Sequence, residues 1–290
     1  MPHPVHRIVV CLDGSARGDV VVRQAAALAQ RLNADLIGLR SLHRPLPSPP
    51  ETFARGTGAI HEVLEHQAAQ EQALVRAARE AFAALVRPFG VGAELHPVWD
   101  DDPLTPTRAS EGDLIVLGRP LPALSDTLTA DRLLLGAARP VLVVPDQWDG
   151  ETGRRVLIAW NDSPAARQAI EQARPLIAPD AVVTVVVVDE AASAGSATEL
   201  ADRLRAQGAR TTVKRLDSRG TGVAEVIAEA AGEVSADLIV LGGYSRSPTV
   251  ERWFGGVTRT LLAGAAHPLL LSHVPDSVRR TAAAVPPSRL

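Results

Sequence analysis

"DLIVLG" occupies Asp113–Gly118 and returns, letter for letter, at Asp237–Gly242. Four consecutive Leu, Ile and Val residues between an Asp and a Gly have the pattern of a strand buried on both faces. A six-residue identity can arise by chance, so its surroundings decide its meaning. "RIVVCLDGS" at Arg7–Ser15 is similar to "RVLIAWNDS" at Arg155–Ser163, and "GAARPVLVVP" at Gly136–Pro145 to "GAAHPLLLSH" at Gly264–His273. The three pairs fall in the same order in both halves. Ordered self-similarity is the mark of a duplicated chain. The polar stretch "DQWDGETG" (Asp146–Gly153) is the linker, which divides the chain into domains 1–148 and 149–290.

Each half alternates strand and helix. In the second, strands are expected at 155–160, 181–188, 210–216, 237–241 and 268–273. Helices are expected at 164–176, 197–207, 222–233 and 248–263. Ser163 is placed to cap the first helix, and Pro164 suits its first position. Alternation of this kind predicts an α/β fold: two tandem doubly wound domains, each a five-stranded parallel sheet, Rossmann-like, with helices on both faces.

The first half carries two edits. Its spacing from Asp13 to Asp113 exceeds that from Asn161 to Asp237 by 24 residues. The excess lies in segment 43–89, a Pro-rich loop followed by a long helical stretch ending at "VRPF". The second edit is a loss of four residues between "DLIVLG" and "GAA".

Composition narrows the function. Hydrophobic residues make up 46% and aromatics 3%, so the core is built from Val, Leu, Ile and Ala. A formal charge of -3 gives no basic footprint for nucleic acid. The longest apolar run, Ala181–Val188, is far too short to cross a bilayer. The N-terminal "MPHPVHR" lacks a signal-peptide pattern, and a single cysteine permits no intrachain disulfide. These features together lead us to expect a cytoplasmic protein without membrane or nucleic-acid partners.

Ligands of open α/β sheets bind beyond the carboxyl ends of the strands, and helix N-termini there favour phosphate. The whole chain resembles a tandem universal stress protein. ATP-binding members of that family carry a signature after the fourth strand: Gly, two residues, Gly, nine residues, Gly, then Ser or Thr. In "LGGYSRSPTVERWFGGVTR" (Leu241–Arg259), Gly242 and Gly255 keep the first and third positions and the spacing. Ser245 replaces the second Gly, and Gly256 replaces the Ser/Thr. Thr258 offers a hydroxyl two residues late. Asn161 stands where the family has Asp. The resemblance implies an adenine base near Asn161 and Val187, with phosphates at Gly242, Gly243, Ser245, Arg246, Gly255, Gly256, Val257 and Thr258. The implied cofactor is ATP with Mg.

The first half is the reverse case. Asp13-Gly14-Ser15 matches the family's first-strand motif, but its later loop has no glycine between Gly118 and Gly136. Pro120 and Pro122 remove backbone donors, and Thr127 and Leu128 lie where the second half has Gly255 and Gly256. No nucleotide is expected there.

Other candidates have plainer readings. Asp100–Asp102 form a solvated acidic loop, and the histidines show no metal-ligand spacing. Cys11 is a buried strand residue. Ser15 and Ser163 lack the flanks of a nucleophile elbow and serve as N-caps. No catalytic or metal constellation is visible, so the expectation is a stress-response protein rather than an enzyme. Alternatives are a nucleotide-independent scaffold and a slow ATP hydrolase. The last strands, Pro140–Val144 and Pro268–Ser272, are expected to pair as an internal pseudo-dimer; the family resemblance also allows a homodimer.

Overall fold

The computed structural model describes residues 4–12, 15–42, 56–99, 109–119, 139–189, 193–242, 256–264 and 266–272. In the first half, the strands are β1 (Arg7–Leu12), β2 (Asp35–Leu42), β3 (Ala93–Trp99), β4 (Leu114–Gly118) and β5 (Val141–Val144). In the second, they are β6 (Arg155–Ala159), β7 (Val182–Val188), β8 (Arg210–Leu216), β9 (Leu238–Gly242) and β10 (Leu269–Ser272). The described helices are α1 (Ala16–Leu32), α2 (Thr57–Val86), α3 (Pro164–Ala173), α4 (Ala194–Ala206), α5 (Val223–Glu233) and α6 (Gly256–Gly264).

Within each half all strand pairs are parallel, as the alternating pattern requires. The two five-stranded sheets join edge to edge into a single ten-stranded sheet, in the order β3-β2-β1-β4-β5-β10-β9-β6-β7-β8. The join is the one antiparallel pair among the described residues: Leu269 faces Val143, Leu270 faces Leu142 and Leu271 faces Val141. This is the internal pairing expected from the duplication, with Leu142 and Leu270 at the pseudo-twofold axis.

Period-two alternation sorts the strand side chains onto two covered faces. Val10, Leu142, Ile158, Val185 and Leu270 share one core layer with α1–α4. Val9, Val143, Leu157, Ile239 and Leu271 share the other with α5 and α6. Both layers run through the join without interruption. Burial of both faces explains why the strands are continuous apolar runs.

The repeated Asp has a structural role. Asp113 Oδ2 accepts the backbone N–H groups of His6 and Arg7, at 2.9 and 3.1 Å, where β1 begins. Asp237 does the same for β6: Oδ1 accepts from Gly153 (2.7 Å), and Oδ2 from Arg154 (3.0 Å) and Arg155 (2.8 Å). Each carboxylate therefore clips the start of one central strand to the start of its neighbour. Gly153 belongs to this clip. Its φ of 97° lies in the left-handed region, and a Cβ there would collide with the carbonyl of Leu176.

Proline sets two helix ends. The expected helix over 164–176 is α-helical to Ala173 and then 3₁₀ over Arg174–Leu176, because Pro175 has no N–H for the next α-helical bond. The same happens at Pro88, where α2 gives way to the 3₁₀ turn Arg87–Phe89. The other expected boundaries hold to within a residue or two, with two exceptions. Helix α4 starts at Ala194 rather than 197, and the described part of α6 starts at Gly256.

Contacts around the linker reinforce the join. Arg31 on α1 reaches across to donate to the Leu176 carbonyl (2.9 Å), while within the first half Gln24 donates to the Trp148 carbonyl (3.3 Å) and Arg17 pairs with Asp146 (3.2 Å). Trp148 meets His267 edge-on at 6.3 Å.

Three outcomes follow from these contacts. Asp237→Ala strips three N–H groups of their acceptor and Asp113→Ala strips two, so losses of about 3 and about 2 kcal/mol are expected; urea denaturation of each variant checks the order. Residues 150–290 expressed alone would bare the β10 edge, and sedimentation should show self-association or aggregation. A stable soluble monomer would contradict the role given to the join. Cys11 is buried, and desolvation pushes its thiol up to about 12. It should therefore resist a thiol-reactive chromophore at neutral pH until the chain is unfolded.

Candidate functional site

In each half the strand order reverses between the first and fourth strands. The second half shows it between β6 and β9, which pair in parallel from Val156–Leu238 to Ala159–Leu241. The helix after β6, α3, packs on one face, and α6, beyond β9, packs on the other. Helices leaving neighbouring strands toward opposite faces open a crevice at the carboxyl ends. Asn161 and Gly242 flank that crevice.

The β6 side is largely self-satisfied. Asn161 Oδ1 accepts the Ser163 N–H at 3.3 Å, and Asp162 turns the chain with φ 54°. Ser163 caps α3: its Oγ accepts from Ala166 N at 3.1 Å, and its carbonyl accepts from Arg167 N at 3.0 Å. Pro164 has no N–H to offer. The Ala166 and Arg167 donors of the first turn of α3 are thus spent on Ser163. Ser15 caps α1 in the same way, accepting from Gly18 N at 3.2 Å. Both serines are N-caps, as their positions in the sequence suggested.

Beside this turn, Arg167 pairs with Asp162 and lies 5.9 Å from the centre of the Trp160 ring. The buried Trp160 indole donates to Ser196 Oγ at 3.0 Å, and Ser196 donates to the Ser193 carbonyl. Nothing in the sequence pointed to this tie between the end of β6 and α4. Its one signal was an aromatic residue in a chain with few of them, at a strand's carboxyl end.

Val187 is buried in the core layer beneath the helices, so its side chain is withdrawn from any ligand and only its backbone could take part. Just beyond it, Asp189 adopts φ 56° and accepts from Ser218 N at 2.9 Å. Hydrogen bonds from the Ser218 side chain, then from its backbone, hold the Asp189 carboxyl below the usual range.

Gly242 ends β9 against the backbone of Ala165 and Ala166, and a Cβ there would collide with α3. Its lack of a side chain is therefore needed for strand-to-helix packing whether or not a ligand binds. Its counterpart Gly118 is less confined, since a Cβ would stand 3.3 Å from Val21 Cγ2.

Gly256 begins the described part of α6 and is exposed, and among the described residues no atom lies within 4 Å of a Cβ built on it. Val257 is half-buried against the second core layer, and Thr258 is buried. Gly243, Ser245, Arg246 and Gly255 lie outside the described residues, as do Asp13, Gly14, Pro120, Pro122, Thr127, Leu128 and Asp100–Asp102. Among the described residues no three His, Cys, Asp or Glu side chains stand together as a metal site, and no helix is long and apolar enough to cross a membrane. His61 pairs with Glu65, and His66 bonds Gln70, on exposed turns of α2.

Comparison with known proteins agrees with this architecture. No curated protein sequence matches the chain. A universal stress protein from Archaeoglobus fulgidus DSM 4304 is similar over 92% of this chain and 97% of its own, with 13% identity and a TM-score of 0.67. A functionally unknown protein from Pseudomonas aeruginosa PAO1 is similar over 95% of each chain, with 17% identity and a TM-score of 0.57. At such identities the likeness is one of fold. The sequence model of the universal stress protein family matches residues 4–145 and again 153–273. With two copies of that domain accounting for nearly the whole described sheet, the chain belongs to the universal stress protein family.

Proposed function

We propose that this chain is a cytoplasmic stress-response protein in which domain 149–290 binds an adenine nucleotide weakly and domain 1–148 serves as its non-binding partner. The observation that carries this reading is the exposed beginning of the described part of α6. Gly256 is exposed there, with no described atom near a Cβ built on it, and the helix lies beside the crevice where the strand order reverses. Backbone N–H groups and the helix dipole supply most of such an anion site, so it can outlast the change of Gly to Ser at position 245.

Self-capping of α3 limits what the β6 side can add. Phosphate recognition then falls to α6 and to the 243–255 segment, while the adenine would lie toward Asn161 and the Val187 backbone. Magnesium would be held chiefly by phosphate oxygens and water, as is common for that ion. The role is one of occupancy and signalling rather than catalysis.

Calorimetric titration of the full chain with ATP and Mg tests the proposal. A Kd on the order of 10 μM to 1 mM is expected, about −7 to −4 kcal/mol. Gly256→Val fills the approach path without meeting any neighbour, so it should abolish the heat while leaving the melting temperature unchanged. Absence of heat with wild type at millimolar ATP would sink the nucleotide reading and leave a nucleotide-independent scaffold. Phosphate release over hours would instead establish slow hydrolysis.

A further inference from the structure

Helix α6 ends without a cation of its own, since its last turn contains no Lys, Arg or His. The final carbonyls of a helix have no intrahelical partner and carry partial negative charge. Here the Ala263 carbonyl, one residue before the helix end, accepts a hydrogen bond at 2.9 Å from the guanidinium Nη2 of Arg119. Arg119 belongs to the other half and directly follows β4. It reaches across the join, where Arg119, Val143, Leu261, Leu262 and His267 surround a small space. Leu261 and Leu262 are the buried face of α6, and Val143 is on β5 of the first half. The helix is therefore seated on both halves and capped by the half to which it does not belong.

The duplication makes this contact one-sided. Aligning Gly118 with Gly242 places Arg119 opposite Gly243, which has no side chain. The second half cannot return the same brace.

We propose that Arg119 is a positioning residue: it holds α6 from across the pseudo-twofold axis, so that the first half sets the geometry of the anion site in the second. The inference rests on the nucleotide reading above and adds regulation to it. This gives the domain that lost its glycine loop a task in the site of its twin.

Hydrogen exchange of the full chain without nucleotide, together with ATP titration, tests the proposal in wild type, Arg119→Ala and Arg119→Lys. In Arg119→Ala, exchange at 260–264 should rise about ten-fold, as for a frayed helix end, with exchange in the sheet unchanged. The ATP Kd should weaken by about five-fold. Arg119→Lys keeps a cation at the helix end and should recover part of both effects. Unchanged exchange at 260–264 would overturn the brace. Faster exchange with unchanged ATP affinity would reduce Arg119 to a local cap and overturn the coupling. If wild type itself binds no ATP, the nucleotide reading and the coupling fall together, and the exchange comparison alone decides whether α6 is braced across the join.

Discussion

Three residue pairs, Val141–Leu271, Leu142–Leu270 and Val143–Leu269, hold the molecule in its observed form. Among the described residues they are the only antiparallel contact in the sheet, and they remove two edges at once. A five-stranded sheet ending in four apolar residues would present a row of free N–H and C=O groups beside an uncovered apolar strip. Joining the two last strands satisfies the backbone and continues both core layers from one half to the other. The outer edges are protected differently. β3 carries Pro97 within the strand, and β8 carries Arg210, Lys214 and Arg215. Edge protection is thus written into the terminal strands, while the inner edges rely on each other.

Duplication frees the two halves to diverge around that shared seam. The first half has the longer helix between its second and third strands, α2 of 30 residues against α4 of 13, and the shorter stretch between "DLIVLG" and "GAA". The second kept the glycine spacing but lost glycine at position 245 and the family's Asp at 161. Both retained the Asp clip at the start of the fourth strand and the Ser cap on the first helix. The retained features hold the central strands and helices in place. The altered ones lie at the carboxyl ends, where a ligand would be met. Such a division is what folding stability and ligand binding would each demand, since a site can drift while the core that positions it cannot.

Much of the fold was legible because its signals are local. Ser163 followed by Pro164 predicts a capped helix start from two adjacent residues, and apolar runs bounded by turns mark the strands. The repeat then supplied the topology of each half. The duplication placed the last strands near a pseudo-twofold axis, and the family resemblance implied that they pair there. The site was less legible. Gly242 fits a phosphate loop and a close strand-to-helix contact equally well as a letter, and only the backbone of Ala165 and Ala166 beside it reveals the second need. The three expected helix residues 174–176 became 3₁₀ because a missing N–H at Pro175 weighs more than the apolar period.

By itself the sequence determined the duplication, the alternation of strands and helices, the buried character of each strand and the serine caps, all of which depend on neighbours within a few residues along the chain. Tertiary structure alone decided the function of the repeated Asp, the Trp160–Ser196 tie and the reach of Arg119 to α6. Each of these joins residues far apart in the chain, from 36 positions for Trp160 and Ser196 to 144 for Arg119 and Ala263. Local pattern carries no record of such partners. Most meet when a half folds its own sheet, and Arg119 meets α6 only once the sheet has closed across its seam and brought the carboxyl end of β4 beside a helix of the other half.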